Sequence, residues 1–401
     1  MWMNAGRIGL VRLCILTLAV GLGCDTISRG TLREVVMRDE PPEEIAGAVS
    51  LYAGGVALAL NGRCAETDLS KPGFLCDRAG VLLLSEAGTL RWFYARTGTA
   101  RVLALVEASP GVLVLGGVEK SGTAEPNGFV EAIENGQRRW YQPLPADSAI
   151  LALAAGLDGV WAAGRLETFG TVRLFDTERG DPRGDWTLED PGADPASRIL
   201  ESAVTALIAA PERGVFAAGT TLRNGGARDT WVARMLAPNT PAQSDVFERH
   251  LGSPGFHDEP GAFAQVSAGL VLAVRDTNPD KDQVTFYLFD PAALSAGDQN
   301  RFPMDTGKYR FLRGSPDEAG GAIVAGAWRT NAQGAFEPRA IRIGPDGAPD
   351  PTWKTAGDWG LRVRSEEGIA SVVLSGVSKT PMVGGWFKEQ GQTVGFVAGV
   401  K

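Results

Sequence analysis

Along this chain a glycine, a short apolar run and a small closing residue recur with little variation. The copies read GVALAL from Gly55, GVLVLG from Gly111, GVWAAG from Gly159, GVFAAG from Gly214, GLVLAV from Gly269, GAIVAG from Gly321 and TPMVGG from Thr380. Their starts lie 56, 48, 55, 55, 52 and 59 residues apart. A period of this length marks one supersecondary unit repeated, because a single unit cannot bury its apolar face alone. Polar positions punctuate each copy in the same way. In the second copy, RVLALV at 101–106 meets a turn at Ser109-Pro110-Gly111 and then VLVLGG. A polar loop at 119–127, the run FVEAI at 129–133, a turn at Asn135-Gly136 and the strand RRWY at 138–141 complete it. Asn-Gly is a strong hairpin signal because both turn positions need positive φ. The sixth copy repeats the plan with AIRI at 340–343, a turn through Pro345-Asp346-Gly347, and Trp353 on the outer strand. Trp92 and Trp186 take that place in the first and third copies.

Four short strands per copy, joined by tight turns, predict an all-β fold: a seven-bladed β-propeller of four-stranded blades over residues 46–401. Gly and Pro break every apolar run within about ten residues, which argues against long helices. The small residues ending each second strand are expected to let neighbouring sheets approach face to face. Trp and Phe then wedge between blades further out. The last copy offers IASVVL at 369–374, PMVGGWF at 381–387 and TVGFVA at 393–398, with no fourth strand before Lys401. An open ring leaves exposed edges, so LREVVM at 32–37 is expected to supply the closing strand.

The N-terminus carries Arg7 and Arg12, the apolar stretch LCILTLAV at 13–20, and GLGC at 21–24. That stretch is short for a membrane span. It resembles the signals of bacterial lipoprotein precursors, which end in a box of apolar and small residues before a cysteine. Gly23 and Cys24 fit the box, with Gly21 standing where leucine is usual. The resemblance implies loss of residues 1–23, a diacylglycerol thioether and an acylated amino group on Cys24, and stable anchoring, each buried methylene adding about 0.8 kcal/mol. The alternative is a plain secretory signal with Cys24 as an incidental thiol. Residues 24–45 then form a lipidated tether, polar and broken by Pro41 and Pro42. The remaining cysteines, Cys64 and Cys76, bracket a polar loop and are expected to pair in an oxidising compartment. Closing such a loop is worth roughly 3 kcal/mol in the chain-entropy model.

The stretch GGAIVAGAW, followed by IRIGPDGAPDPTW, resembles the delta-sixty type of β-propeller repeat of secreted bacterial proteins. The segments VLLLSEAGTLRWFY and FVEAIENGQRRWYQ resemble the quinoprotein-like propeller repeat. Both resemblances imply the fold of residues 46–401 rather than an activity.

Apolar residues make up 44% of the chain and charged ones 21%, enough for a core and too ordinary for global disorder. The formal charge is −8, and loss of Arg7 and Arg12 with the signal takes it to about −10. That balance excludes phosphate-backbone binding as the main task, so no nucleic-acid partner is expected, nor a polybasic membrane surface. The run Asp276-Thr277-Asn278-Pro279-Asp280-Lys281-Asp282 spaces oxygen ligands as calcium loops do. It has Lys281 where the glycine belongs and Tyr287 at the closing position, so it reads as a strand-to-strand turn. His250 and the cluster His257-Asp258-Glu259 are the imidazole sites, and the cluster, set among prolines and glycines, reads as an exposed loop between blades. GxSxG, HExxH and GxxxxGK motifs are absent from the sequence. No metal or cofactor is expected. These features point to a lipid-anchored, non-catalytic binding or assembly scaffold of the cell envelope, with a protein or glycan ligand, in a role resembling outer-membrane-assembly propeller lipoproteins. The alternative is a polysaccharide-active hydrolase or lyase whose carboxylates meet at the propeller axis. Function then resides in loops that differ between copies, such as 63–77 and 252–261.

Overall fold

The computed structural model describes residues 14–16, 34–37, 44–62, 75–85, 90–120, 126–188, 199–211, 214–223, 226, 228–238, 249–251, 257–278, 281–292, 294, 301–304, 308–316, 319–329, 337–350, 369–374, 382–389 and 392–399. Among them every regular element is a β-strand, and the strands form seven antiparallel sheets. Two short strands, β1 (Cys14–Leu16) and β2 (Glu34–Met37), come first. The first sheet is β3 (Glu44–Ser50), β4 (Val56–Asn61), β5 (Ala79–Leu84) and β6 (Leu90–Ala95). The second is β7 (Thr99–Ser109), β8 (Val112–Lys120), β9 (Asn127–Glu134) and β10 (Gln137–Ala146). The third is β11 (Ser148–Gly156), β12 (Gly159–Leu166), β13 (Phe169–Phe175) and β14 (Pro182–Thr187). The fourth is β15 (Ile199–Ala209), β16 (Val215–Arg223), β17 (Arg228–Met235) and β18 (Arg249–Leu251). The fifth is β19 (Asp258–Val266), β20 (Gly269–Asn278), β21 (Lys281–Phe289) and β22 (Arg301–Met304). The sixth holds β23 (Lys308–Pro316), β24 (Ala322–Arg329) and β25 (Glu337–Ile343). The last holds β26 (Ile369–Leu374), β27 (Met382–Glu389) and β28 (Gln392–Gly399), with β2 on the outer side of β28 and β1 beyond it.

Every recurring apolar run is the second strand of its sheet, as the sequence pattern predicts. The first strands touch in succession, β3 to β7, β11, β15, β19, β23 and β26, and β26 touches β3. β2 pairs antiparallel with β28, Val35 opposite Val397 and Met37 opposite Gly395. β3 begins at Glu44, inside the stretch read as tether, and β1 falls inside the apolar stretch read as a signal. Trp353 and residues 24–33 lie outside the described residues.

Local geometry explains the turn chemistry. Asn135 and Gly136 both have positive φ, 52° and 76°, between Glu134 and its partner Gln137. Gly214 opens the second strand of its sheet at φ 110°, and a Cβ there would sit 2.2 Å from the Met235 carbonyl oxygen, so the position excludes any side chain. The closing small residues need a different account from the predicted one. All seven first strands carry a register shift at the equivalent place, for example between Val102 and Ala104, Ile150 and Ala152, and Val204 and Ala206. Near that bulge a first-strand carbonyl presses on the second strand. A Cβ on Gly164 would lie 1.8 Å from the Ala149 oxygen, and one on Gly219 2.1 Å from the Ala203 oxygen. Gly116 does face the next sheet, 2.4 Å from the Ile150 methyl by the same measure. Close approach within a sheet is therefore as demanding as approach between sheets.

The core lies between sheets. Trp161, Val172, Ala217, Trp231 and Met235 fill the gap between the third and fourth. Further out, the aromatic residue of one sheet meets the third turn of the next. Trp92 covers Gly136, and Trp140 covers Gly180 while its indole N–H donates to the Thr177 carbonyl at 2.9 Å. This is the wedge the sequence predicts.

Candidate functional site

The densest polar chemistry in the described residues lies between the first and second sheets. Arg96 follows β6 and is nearly buried, with 2% of its side chain exposed. Its guanidinium donates to Glu131 Oε2 at 2.7 Å and to Glu119 Oε2 at 2.5 Å, while its plane lies over the Phe129 ring, 3.5 Å from the centroid. Glu131 is fully buried and is also approached by Arg138 Nε at 3.1 Å. Glu119 keeps a 16% opening to solvent and accepts from the Tyr141 hydroxyl and, at 3.4 Å, from Asn127 Nδ2. Burial, with the charge and hydrogen bond of Glu131, pushes the Tyr94 hydroxyl up from its ordinary value, against the pull of Arg138. Burial, then the hydrogen bond to Glu119 and its charge, pushes Tyr141 up to about 12.

Two carboxylates, two guanidinium groups and two protonated phenols thus meet in one set, within which Arg96 Nε and Glu131 Oε1 are buried without a hydrogen-bond partner. Such a set holds two sheets in register. Its tyrosines, both pushed up, stay protonated at neutral pH, and both carboxylates are engaged by arginine. The sequence reading missed this set because Arg96 and Glu131 sit in different copies of the repeat.

Smaller ties join other neighbours. On the side of the first turns (those linking first and second strands), Glu107 accepts from the amides of Tyr52 at 2.7 Å and Gly111 at 2.8 Å. Asp158 accepts from the amide of Gly214 at 2.8 Å. These partners are 55 and 56 residues apart, close to one repeat, a signal the sequence did hold. On the opposite side the Asn61 side chain exchanges two 2.8 Å hydrogen bonds with the Val102 backbone, and Ser148 and Ser202 accept from the amides of Gly128 and Gly170.

The residues singled out from sequence are scattered. Cys24 and Cys64 lie outside the described residues. Cys76 is fully buried in a disulfide and bridges Ala100 by two 3.3 Å backbone hydrogen bonds. His250 lies in β18, opposite Trp231. His257 is exposed, and its Nδ1 accepts the Arg228 amide at 3.0 Å. Asp258, expected in an exposed loop, is instead fully buried at the start of β19. Pro260 fits there because the first strand is an edge strand and Pro260 flanks its bulge. The oxygen-rich run at 276–282 folds as the β20–β21 hairpin, Asn278 opposite Lys281. Among the described residues no three His, Cys, Asp or Glu side chains are grouped to hold a metal ion.

No protein-family model matches the chain, and no curated protein does either. Solved structures do. An oligogalacturonate lyase in complex with manganese is similar over 97% of this chain and 96% of its own, at 11% identity and a TM-score of 0.52. A Trypanosoma rangeli sialidase in complex with the inhibitor DANA is similar over 93% of this chain at 11% identity and a TM-score of 0.48, and this chain spans 56% of its length. The quinohemoprotein alcohol dehydrogenase of Comamonas testosteroni is similar over 90% of this chain and 76% of its own, at 11% identity and a TM-score of 0.45. The oligogalacturonate lyase is a β-propeller-like protein, and the likeness to it shows that this all-β chain folds in the same manner. At such identity it assigns no activity.

Proposed function

We propose that the chain is an exported, lipid-anchored β-propeller of seven blades that binds a protein or glycan of the cell envelope as a non-catalytic scaffold. In this reading β2 completes the last blade and closes the ring, Cys24 carries the lipid, and Cys64 is the disulfide partner of Cys76. The observation that carries it is where the chemistry is spent. Glu107, Glu119 and Glu131 tie one sheet to the next through Arg96 and backbone amides, while large apolar side chains stand exposed at turn tips, Tyr52 at 62% and Leu157 at 81%. Chemical cross-linking in native membranes followed by pull-down tests the scaffold, and a stoichiometric partner is the expected result. Tritiated palmitate on the wild type but not on Cys24→Ser tests the anchor.

A second reading is favoured by the full-length likeness to the oligogalacturonate lyase. It makes the chain a polysaccharide-active lyase or hydrolase with its site at the axis. Turnover on a panel of acidic and neutral glycans, with no stoichiometric partner in the pull-down, replaces the scaffold by the enzyme.

A further inference from the structure

The direction of β2 says which face of the molecule the anchor leaves. From Val35 to Met37 its partners on β28 run from Val397 to Gly395. β28 ends at Gly399, opposite Met382, which begins β27 just after the first turn of the last sheet. β2 therefore starts on the side of the first turns. Cys24, the first residue of the lipidated chain, precedes that start in sequence. Ten residue steps separate Cys24 from Glu34, a reach of at most about 35 Å. The eleven-residue strand β7 itself covers ten such steps, about 34 Å. A tether that leaves the first-turn face spends almost all of its length before it could present the opposite face to a membrane.

The first-turn face is also suited to lipid. Among the described residues its first turns expose Tyr52, Pro110, Leu157, Pro211 and Ala268, with Ser267 beside them. The third turns on the same face expose Glu134, Glu178, Arg179, Asp181 and Asp346. Mostly apolar first turns beside third turns in which acids outnumber bases match a neutral headgroup layer better than an anionic one. We infer that this face, led by Tyr52 and Leu157, rests on a lipid bilayer of zwitterionic headgroups and leaves the opposite face, with the loops between second and third strands, free for the partner. The inference rests on the lipid anchor at Cys24 proposed above.

The test expresses the full sequence with its own signal, purifies the product from membranes and reconstitutes it into phosphatidylcholine vesicles. An environment-sensitive fluorophore is placed on Leu157→Cys or on Leu200→Cys; Leu200 is 46% exposed at the far end of β15. Palmitate label is read on the same samples. Expected is a blue shift and quenching by nitroxide lipid at position 157, neither at position 200, and loss of the shift when Tyr52→Ser is added. Palmitate label with equal or reversed signals overturns the orientation and leaves the anchor standing. Absence of label overturns the anchor, and this inference with it.

Discussion

The gap between the first and second sheets and the gap between the third and fourth have the same backbone frame and each an apolar core, and differ in what lies beside that core. In the first, Arg96 joins two carboxylates that also hold Tyr94, Arg138 and Tyr141. In the second, Trp161 and Trp231 are both fully buried, and the Trp186 ring lies tilted by 31° against Trp161 with ring centroids 5.1 Å apart. The apolar gap gains stability in proportion to the area it hides. The charged set of the other gap adds much less to its apolar core, because desolvating its ions offsets most of their attraction. It gains exclusivity instead: a sheet without the matching charges leaves an ion buried and unpaired.

That contrast is open to direct attack. Trp231→Ala removes a fully buried indole and is expected to cost about 3–5 kcal/mol in denaturant unfolding. Arg96→Ala is expected to cost a similar amount, about 3–5 kcal/mol, by stranding Glu131. The gaps diverge in their rescue. Replacing Arg96, Glu119 and Glu131 together by methionine, glutamine and leucine should recover most of the loss, whereas no polar replacement of Trp231 should do so. A triple variant as unstable as Arg96→Ala would show that the charged gap contributes net stability. Gly219→Ala, whose Cβ would also press on the Trp231 ring at 2.6 Å, should cost about 1–3 kcal/mol through overpacking.

The smallest effect concerns pH. Tyr141 titrates at about 12 in the folded chain and at about 10 when unfolded. Between those values the unfolded state loses a proton that the folded state keeps. The contribution is therefore full below about pH 10 and lost as pH rises towards 12. Melting temperatures from pH 9 to 12 should fall less steeply in Tyr141→Phe than in the wild type, and parallel curves would show that the hydroxyl is not held.

The second strands and their turns were legible because their signals are local. A glycine at positive φ or an Asn-Gly pair is dictated by its own turn, and an apolar run by its own sheet. The bulges in the first strands left no mark, since the residues at those places range from Ala46 and Leu103 to Thr205 and Ser371. The charged gap was hidden for another reason. Arg96 and Glu131 are 35 residues apart and meet only once two sheets stack, so neither stands out from the surface charges around it. Asp258 was misread because prolines and glycines mark loops in general and edge strands as well.

Closure of the ring through β2 is the proposed feature on which the rest of the molecule depends most. Val35 and Val36 pair with β28 on one side and β1 on the other, so proline at both positions breaks the ladder whichever amide is used. The decisive measurement is thermal unfolding of the Val35→Pro/Val36→Pro chain. A closed ring predicts that the whole molecule melts at a markedly lower temperature in a single transition; an unchanged melting temperature, or a minor early transition with the main one unmoved, would contradict it.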